Sequence, residues 1–328
     1  MREVSNAYWN TWSGKHRQDD GQDDQFDAEP GTVRRGVQNK EKADAFAREM
    51  GASHAYGSYA ELANDPNVDL VYIATIHTEH FNNIMLCLEA GRNVLCEKAF
   101  TLNAREAKAA CKLAEQKKLL LAEAMWPRYM PSRTIITDLI KQGAIGDIRM
   151  VTANLCYRIS EVPRIKERSM GGGALLDVGV YPLSFLFTYM GTDYVKMQSL
   201  ASITALGVDE QNVTSFIYSD GRIGVVESGT KVRSDRRGMI YGTNGSIEVE
   251  NINNPERIWL FDKDAKLVKE ITPPAQLTGY EYEVEACERA IKDGKYECSE
   301  MPHRHTIKKM EILDAIRKSW GIRFPSEQ

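Results

Sequence analysis

Between residues 40 and 142 the apolar positions switch repeatedly between two periods. Short, nearly unbroken apolar runs at 68–75 (VDLVYIAT), 93–97 (NVLCE) and 119–125 (LLLAEAM) are the pattern of strands covered on both faces. Between and after them lie stretches with apolar residues at helical spacing: KEKADAFAREMG, HFNNIMLCLEAG stopping at Gly91, NAREAKAACKLAEQKK with Asn103 as its N-cap, and PSRTIITDLIKQG. Strands alternating with helices of about 10–15 residues predict βαβ units and a doubly wound parallel sheet.

The pattern changes near residue 147. DIRMVTANLCYRI reads as a long strand, and ALLDVGVYPLSFLFTYMG as an apolar helix introduced by Gly171-Gly172-Gly173. Extended stretches follow, turning at Asp220-Gly221 and Asn244-Gly245, both strong hairpin signals, with ERIWLFDKDAKLVKEI as a further hairpin. This predicts a large open, mostly antiparallel sheet with one long helix against it, closed by helices near 279–293 and 303–320. The expected organisation is an α/β protein with a doubly wound domain at 1–125 and an α+β domain at 126–328, whose terminal helices pack back on the first domain.

The first 38 residues break the pattern. Leucine is absent before Leu62 and isoleucine before Ile73, and RQDDGQDDQFDAEPG is acidic and strand-hostile. The segment reads as disordered or poorly packed. SGKH at 13–16 has the Gly-Lys of a phosphate loop without its first glycine or its Ser/Thr, and no strand is expected before it.

Composition narrows the function. The chain has 328 residues, 42% hydrophobic and 27% charged, with a formal charge of −4. That length suits two domains, and neither the charge nor any basic stripe with interleaved aromatics fits a nucleic-acid partner. No apolar stretch is read as approaching the ~20 residues that cross a bilayer. The six cysteines are scattered without a CxxC pair, so neither a metal site nor a disulfide framework is expected, and a reducing cytoplasm is the simplest location.

The run VLCEKAF (94–100) ends on a charged pair, Glu97 and Lys98, where an open α/β sheet would face its ligand crevice. Farther on, Asp177 and Tyr181 are four apart and so share a helix face. Leu175, Leu176, Val178 and Val180 make that helix apolar nearly all round, and a carboxylate buried there needs a partner. An Asp177–Lys98 pairing across the domain crevice would supply one.

Taken together, VDLVYIATIHTEH, VLCEKAFTLNAREA, AEAMWPRYMPS and GGGALLDVGVYPLSF resemble the Gfo/Idh/MocA family of nicotinamide-dependent oxidoreductases, nearest its dihydrodiol and NADP-linked xylose dehydrogenase branch. The likeness runs from about residue 39 to the C-terminus. It implies a Rossmann domain, an open-faced sheet domain, and NADP or NAD as cofactor, with NADP favoured. By the same resemblance Lys98 is the active-site lysine beside the nicotinamide and Glu97 its cofactor-side neighbour, with Ala99 where proline is usual. Tyr181 is the general acid/base, and Asp177 holds the lysine and the substrate hydroxyl. Ala74, Thr75, His77 and His80 lie along the cofactor, and Trp126 and Arg128 near the nicotinamide and phosphates. The implied substrate is a sugar, polyol or trans-dihydrodiol, and the implied assembly a homo-oligomer through the open sheet. The family's first strand and Gly-x-Gly-x-x-Ala turn are missing, which motivates the hypothesis that residues 1–38 are frame-shifted; resequencing the coding DNA tests it. Two other readings stand beside the enzyme: a non-catalytic dinucleotide or sugar sensor, and an inactive chain with a damaged cofactor-binding half.

Overall fold

The computed structural model describes residues 6–9, 34–36, 40–49 and 52–327. The chain divides into two units, one reaching to Ala124 and taking in Tyr280–Ile307, the other formed by Met125–Gly279 and the chain from Lys308 onward.

In the first unit the order is β1 (Asn6–Trp9), β2 (Arg34–Gly36), α1 (Lys40–Glu49), β3 (His54–Tyr56), α2 (Tyr59–Asn64), β4 (Leu70–Ile73), α3 (His77–Glu89), β5 (Asn93–Glu97), α4 (Ala104–Lys117) and β6 (Leu121–Ala124). Strands β1-β4-β5-β6 form one parallel sheet in that order, and β2 pairs with β3. Val71, Ile73, Val94, Leu95 and Cys96 are fully buried, as continuous apolar strands covered on both faces must be. Asn103 caps α4 by accepting the Glu106 N–H at 3.1 Å, and the small residues Ala107, Ala110, Cys111 and Ala114 form its buried stripe.

One expectation needs correcting here. The polar opening segment was read as holding no strand, yet Asn6–Trp9 runs parallel to β4 in register from Asn6–Leu70 to Trp9–Ile73. A short strand can join a sheet through its backbone groups, and tyrosine and tryptophan favour that state. A strand therefore does precede Gly14-Lys15, although Ser13–His16 themselves lie outside the described residues.

The second unit contains α5 (Pro131–Lys141), β7 (Ile148–Cys156), α6 (Pro163–Lys166), a π-turn (Leu175–Gly179) leading into α7 (Val180–Met190), and the strands β8 (Tyr194–Ile203), β9 (Asp209–Tyr218), β10 (Ile223–Gly229), β11 (Gly238–Gly242), β12 (Gly245–Val249), β13 (Ile258–Asp262) and β14 (Leu267–Ile271). The sheet order is β14-β13-β12-β11-β7-β10-β9-β8. Every pairing is antiparallel except β7 with β10. Asp220-Gly221 and Asn244-Gly245 turn the hairpins β9–β10 and β11–β12. One sheet face, carrying Val151, Leu155, Phe216, Val226 and Ile240, is buried. On it lies α7, so close that a Cβ at Gly224 would come within 2.5 Å of Leu186. Two helices follow, α8 (Glu281–Lys292) in the first unit and α9 (His303–Ser319), divided between the units at Ile307.

A second correction concerns the apolar helix. By length and composition the 23-residue stretch Arg168–Met190 could cross a bilayer, contrary to the sequence reading. Its apolar window is 89% buried inside the protein, so the sheet accounts for its hydrophobicity.

Candidate active site

The first unit places Lys98 just beyond the carboxyl end of β5. Glu97 controls the chain there. Its Oε2 accepts the Lys98 backbone N–H at 3.1 Å, and its Oε1 accepts the hydroxyl proton of Tyr72 from β4. Burial and then the Glu97 charge push the Tyr72 phenol well above its ordinary range, so it stays a donor. The Lys98–Ala99 peptide is cis, and Ala99 is fully buried. Glu283 of α8 is 1% exposed; burial first and the Glu97 charge second push its carboxyl well above the usual carboxylate range.

His80 belongs to the scaffold. It is fully buried, with Nδ1 2.8 Å from the Ala99 carbonyl and Nε2 2.9 Å from the Thr75 carbonyl. Burial, the larger influence, holds its ring below the usual pKa and hence neutral, so one contact is a hydrogen bond and the other only a close approach. The cofactor-contact role expected of His80 is corrected: the side chain ties the loop after β4 to the residue after Lys98. Thr75 follows β4 with its Oγ1 accepting from Asn83 at 3.3 Å, and Ala74 beside it is half-buried. His77 opens α3 and meets His80 edge-on at 5.7 Å.

The second unit holds the other expected groups. Asp177 lies in the π-turn, where its carboxylate accepts from Arg164 Nη1 of α6 at 2.6 Å, a partner the sequence reading did not name. Tyr181 is in the first turn of α7, and its phenol oxygen accepts the indole N–H of Trp126 at 3.3 Å. Trp126 thereby orients Tyr181 with its indole N–H. Arg128 is 9% exposed and donates to Thr188 Oγ1 at 2.7 Å, bracing α7. The π-turn also qualifies the shared-face argument, because the turn holding Asp177 is wound more widely than the α-helical turn holding Tyr181.

Asp209 fixes the entry to this helix. Its Oδ2 accepts the Leu175 N–H and the Asn212 amide, each at 2.8 Å. Burial pushes its carboxyl up to about 6, although these donors and the Arg317 charge oppose the shift. A folded-state value above the unfolded one means that its stabilising contribution is complete below about pH 4 and lost as pH rises through 6. The loss is roughly 3 kcal/mol. Asp209→Asn keeps the acceptor and cannot ionise, so denaturant titrations from pH 4 to 8 should lose that slope in the variant; equal slopes would discount Asp209.

Fit to a dinucleotide can be judged from the described strand ends. Ile76, the N-cap of α3 at the end of β4, makes no side-chain cap bond, and Glu97 and Lys98 stand at the end of β5. These residues fit the nicotinamide-bearing half. Among the described residues no cluster of His, Cys, Asp or Glu could hold a metal ion.

Comparison with known proteins decides the family. Residues 32–125 match the oxidoreductase family NAD-binding Rossmann fold, and residues 135–248 match the GFO/IDH/MocA C-terminal domain. The chain belongs to the Gfo/Idh/MocA oxidoreductase family. Trans-1,2-dihydrobenzene-1,2-diol dehydrogenase of Danio rerio is 32% identical over 291 residues, covering 85% of this chain and 86% of the relative. The D-xylose 1-dehydrogenase (NADP(+)) of Hypocrea jecorina is 33% identical over 324 residues, covering 88% and 82%. A levoglucosan dehydrogenase solved with NADH and levoglucosan superposes with TM-score 0.77 at 21% identity, covering 88% and 87%, and so shares the fold. As a Gfo/Idh/MocA protein this chain is an NAD(P)-dependent oxidoreductase acting on CH–OH groups.

The sequence reading missed Tyr72, Arg164 and Glu283. Glu283 did leave a signal: with Ala286, Cys287 and Ala290 it occupies the apolar stripe of α8, where an acid is out of place.

Proposed function

We propose that this chain exchanges a hydride between NADP or NAD and the hydroxyl- or carbonyl-bearing carbon of a sugar, polyol or trans-dihydrodiol, with Lys98, Asp177 and Tyr181 serving one reaction. The carrying observation is Tyr181, whose phenol oxygen is fixed by the Trp126 N–H on a helix that also presents Asp177 held by Arg164. Relatives named for a dihydrodiol and for D-xylose support the substrate class, and the NADP(+) in the second name favours that cofactor.

Hydride acceptance or donation is the chemistry that the nicotinamide supplies when bound. The chain's own residues handle the proton and the charge. As phenolate Tyr181 takes the hydroxyl proton during oxidation, and as phenol it gives that proton back during reduction, a role usually worth on the order of 10²–10⁴-fold. Lys98 supplies a positive charge that favours the oxyanion, and Glu97 holds the Lys98 backbone in place. Asp177 accepts a hydrogen bond from a substrate hydroxyl and so orients it.

Assembly through the open sheet face belongs to the same reading. Val213, Ile217 and Ile223 point outward from β9 and β10 at 36%, 41% and 41% exposure, an apolar face that a second copy would cover. Six free cysteines support a reducing compartment, the cytoplasm.

The test is a titration with NADPH and NADH followed by nicotinamide fluorescence, then assays with D-xylose and trans-1,2-dihydrobenzene-1,2-diol. Saturable binding with turnover is expected. Binding without turnover on a wide aldose and diol panel would favour the sensor, and no binding at all the inactive chain. Light scattering of the same sample should exceed one chain mass; a monomer rejects the sheet-face assembly.

A further inference from the structure

Arg164 has donors to spare. Its Nη1 is given to the Asp177 carboxylate at 2.6 Å, and its Nε and Nη2 meet no acceptor among the described residues. The two partners differ in burial: the Asp177 side chain is 5% exposed and the Arg164 side chain 37%. The pair thus runs from the interior outward, with the carboxylate at the closed end and a guanidinium edge at the open end. Nor is the arginine on a loose tether. Ile165 beside it is 2% exposed, and the Ile165 carbonyl accepts the Gly173 N–H at 2.8 Å, which ties α6 to the entry of α7.

We infer that Arg164 is a specificity-determining residue that selects a polyoxygenated substrate, of the aldose class, over a carbocyclic trans-dihydrodiol. The inference rests on the reading of Asp177 and Tyr181 as the substrate-handling pair. A carboxylate beside a guanidinium with unused N–H groups offers one acceptor and a fork of donors side by side. Adjacent sugar oxygens answer both: one hydroxyl donates to Asp177 while its neighbour accepts from Arg164. A dihydrodiol places a hydrocarbon ring where the further oxygens of a sugar would lie. Covering the guanidinium edge with that ring would desolvate donors and return no acceptor, a cost of about ten- to hundredfold in kcat/KM. The same donors therefore reward the sugar and penalise the ring.

The experiment compares D-xylose with trans-1,2-dihydrobenzene-1,2-diol in the intact wild-type protein and in Arg164→Met and Arg164→Lys, each checked for unchanged thermal unfolding and NADPH affinity. Wild type is expected to favour D-xylose. Arg164→Met, which also takes from Asp177 its guanidinium partner, should lower kcat/KM on both substrates but at least tenfold more on D-xylose than on the dihydrodiol, mainly through KM. Arg164→Lys should recover part of the loss, because it restores the charge without the fork. Equal losses on both substrates would mean that Arg164 merely supports Asp177, and a wild type that prefers the dihydrodiol would reverse the assignment; either result overturns the inference. Turnover of neither probe, nor of any aldose or diol, would instead remove the hydride-transfer reading beneath it.

Discussion

Tyr181→Phe is expected to lower kcat on the order of 10²–10⁴-fold while leaving NADPH affinity within about twofold. The substitution removes one oxygen from α7 and changes no apolar contact of the ring, which is 8% exposed. That oxygen has two duties, and the experiment must separate them. One is the proton transfer; the other is to accept the Trp126 N–H at 3.3 Å. With phenylalanine at 181 the N–H of the buried Trp126 loses this acceptor, at a cost of roughly 1–3 kcal/mol in stability. Trp126→Phe combined with Tyr181→Phe removes donor and acceptor together and should regain much of that stability without regaining turnover. If the double variant recovered both, the loss in the single variant would have been structural. If Tyr181→Phe turned over at the wild-type rate, Tyr181 would drop out of the mechanism.

How far the sequence reveals this site depends on which groups are tied to a periodic element. The charged pair at Glu97-Lys98 was visible because three buried apolar residues, Val94, Leu95 and Cys96, stop there abruptly. Asp177 stood out because a carboxylate interrupts an apolar helix. The hairpins were legible at Asp220-Gly221 and Asn244-Gly245 for the same reason, since turn chemistry is local. Arg164 carries no such mark: it sits in YRISEVPRIKERSM, a charged stretch without period, and only folding brings its guanidinium to Asp177. The bond from Trp126 to Tyr181 was not legible either, because the sequence does not say where the single indole N–H points. His80 failed differently. Its place in the stretch after β4 suggested a cofactor-facing ring, whereas two main-chain carbonyls close around it.

Strand β1 marks another limit. Nothing in the apolar pattern of the first 38 residues announces Asn6–Trp9 as part of the parallel sheet. Pairing there runs through backbone groups, which every sequence carries and no hydrophobic period reports. The family match likewise begins only at residue 32, so this strand is placed by its neighbour β4 and not by resemblance.

Gly173→Ala should destabilise the second unit by roughly 3 kcal/mol or more. Gly173 has φ +115°, a region that side chains other than glycine's rarely enter. Space is equally closed, for a Cβ built there falls well inside van der Waals contact with Asp209 Oδ1. Asp209 cannot yield cheaply, because its other oxygen holds the Leu175 N–H and the Asn212 amide. Either the backbone takes up the strain or the carboxylate swings away and the π-turn loses its anchor. The second course would also displace Asp177, two residues beyond Leu175. Urea titration reads the stability, and kcat/KM on D-xylose reads the displacement. Asp209→Ala in the same background discriminates between the two courses. If the clash dominates, the double variant should be no less stable than Asp209→Ala plus the backbone cost alone, so the two effects fall short of additivity by more than about 1 kcal/mol. Full additivity would place the whole effect in φ, and a Gly173→Ala protein within about 0.5 kcal/mol of wild type would mean that the glycine is not what allows Asp209 to set the entry to the helix bearing Asp177 and Tyr181.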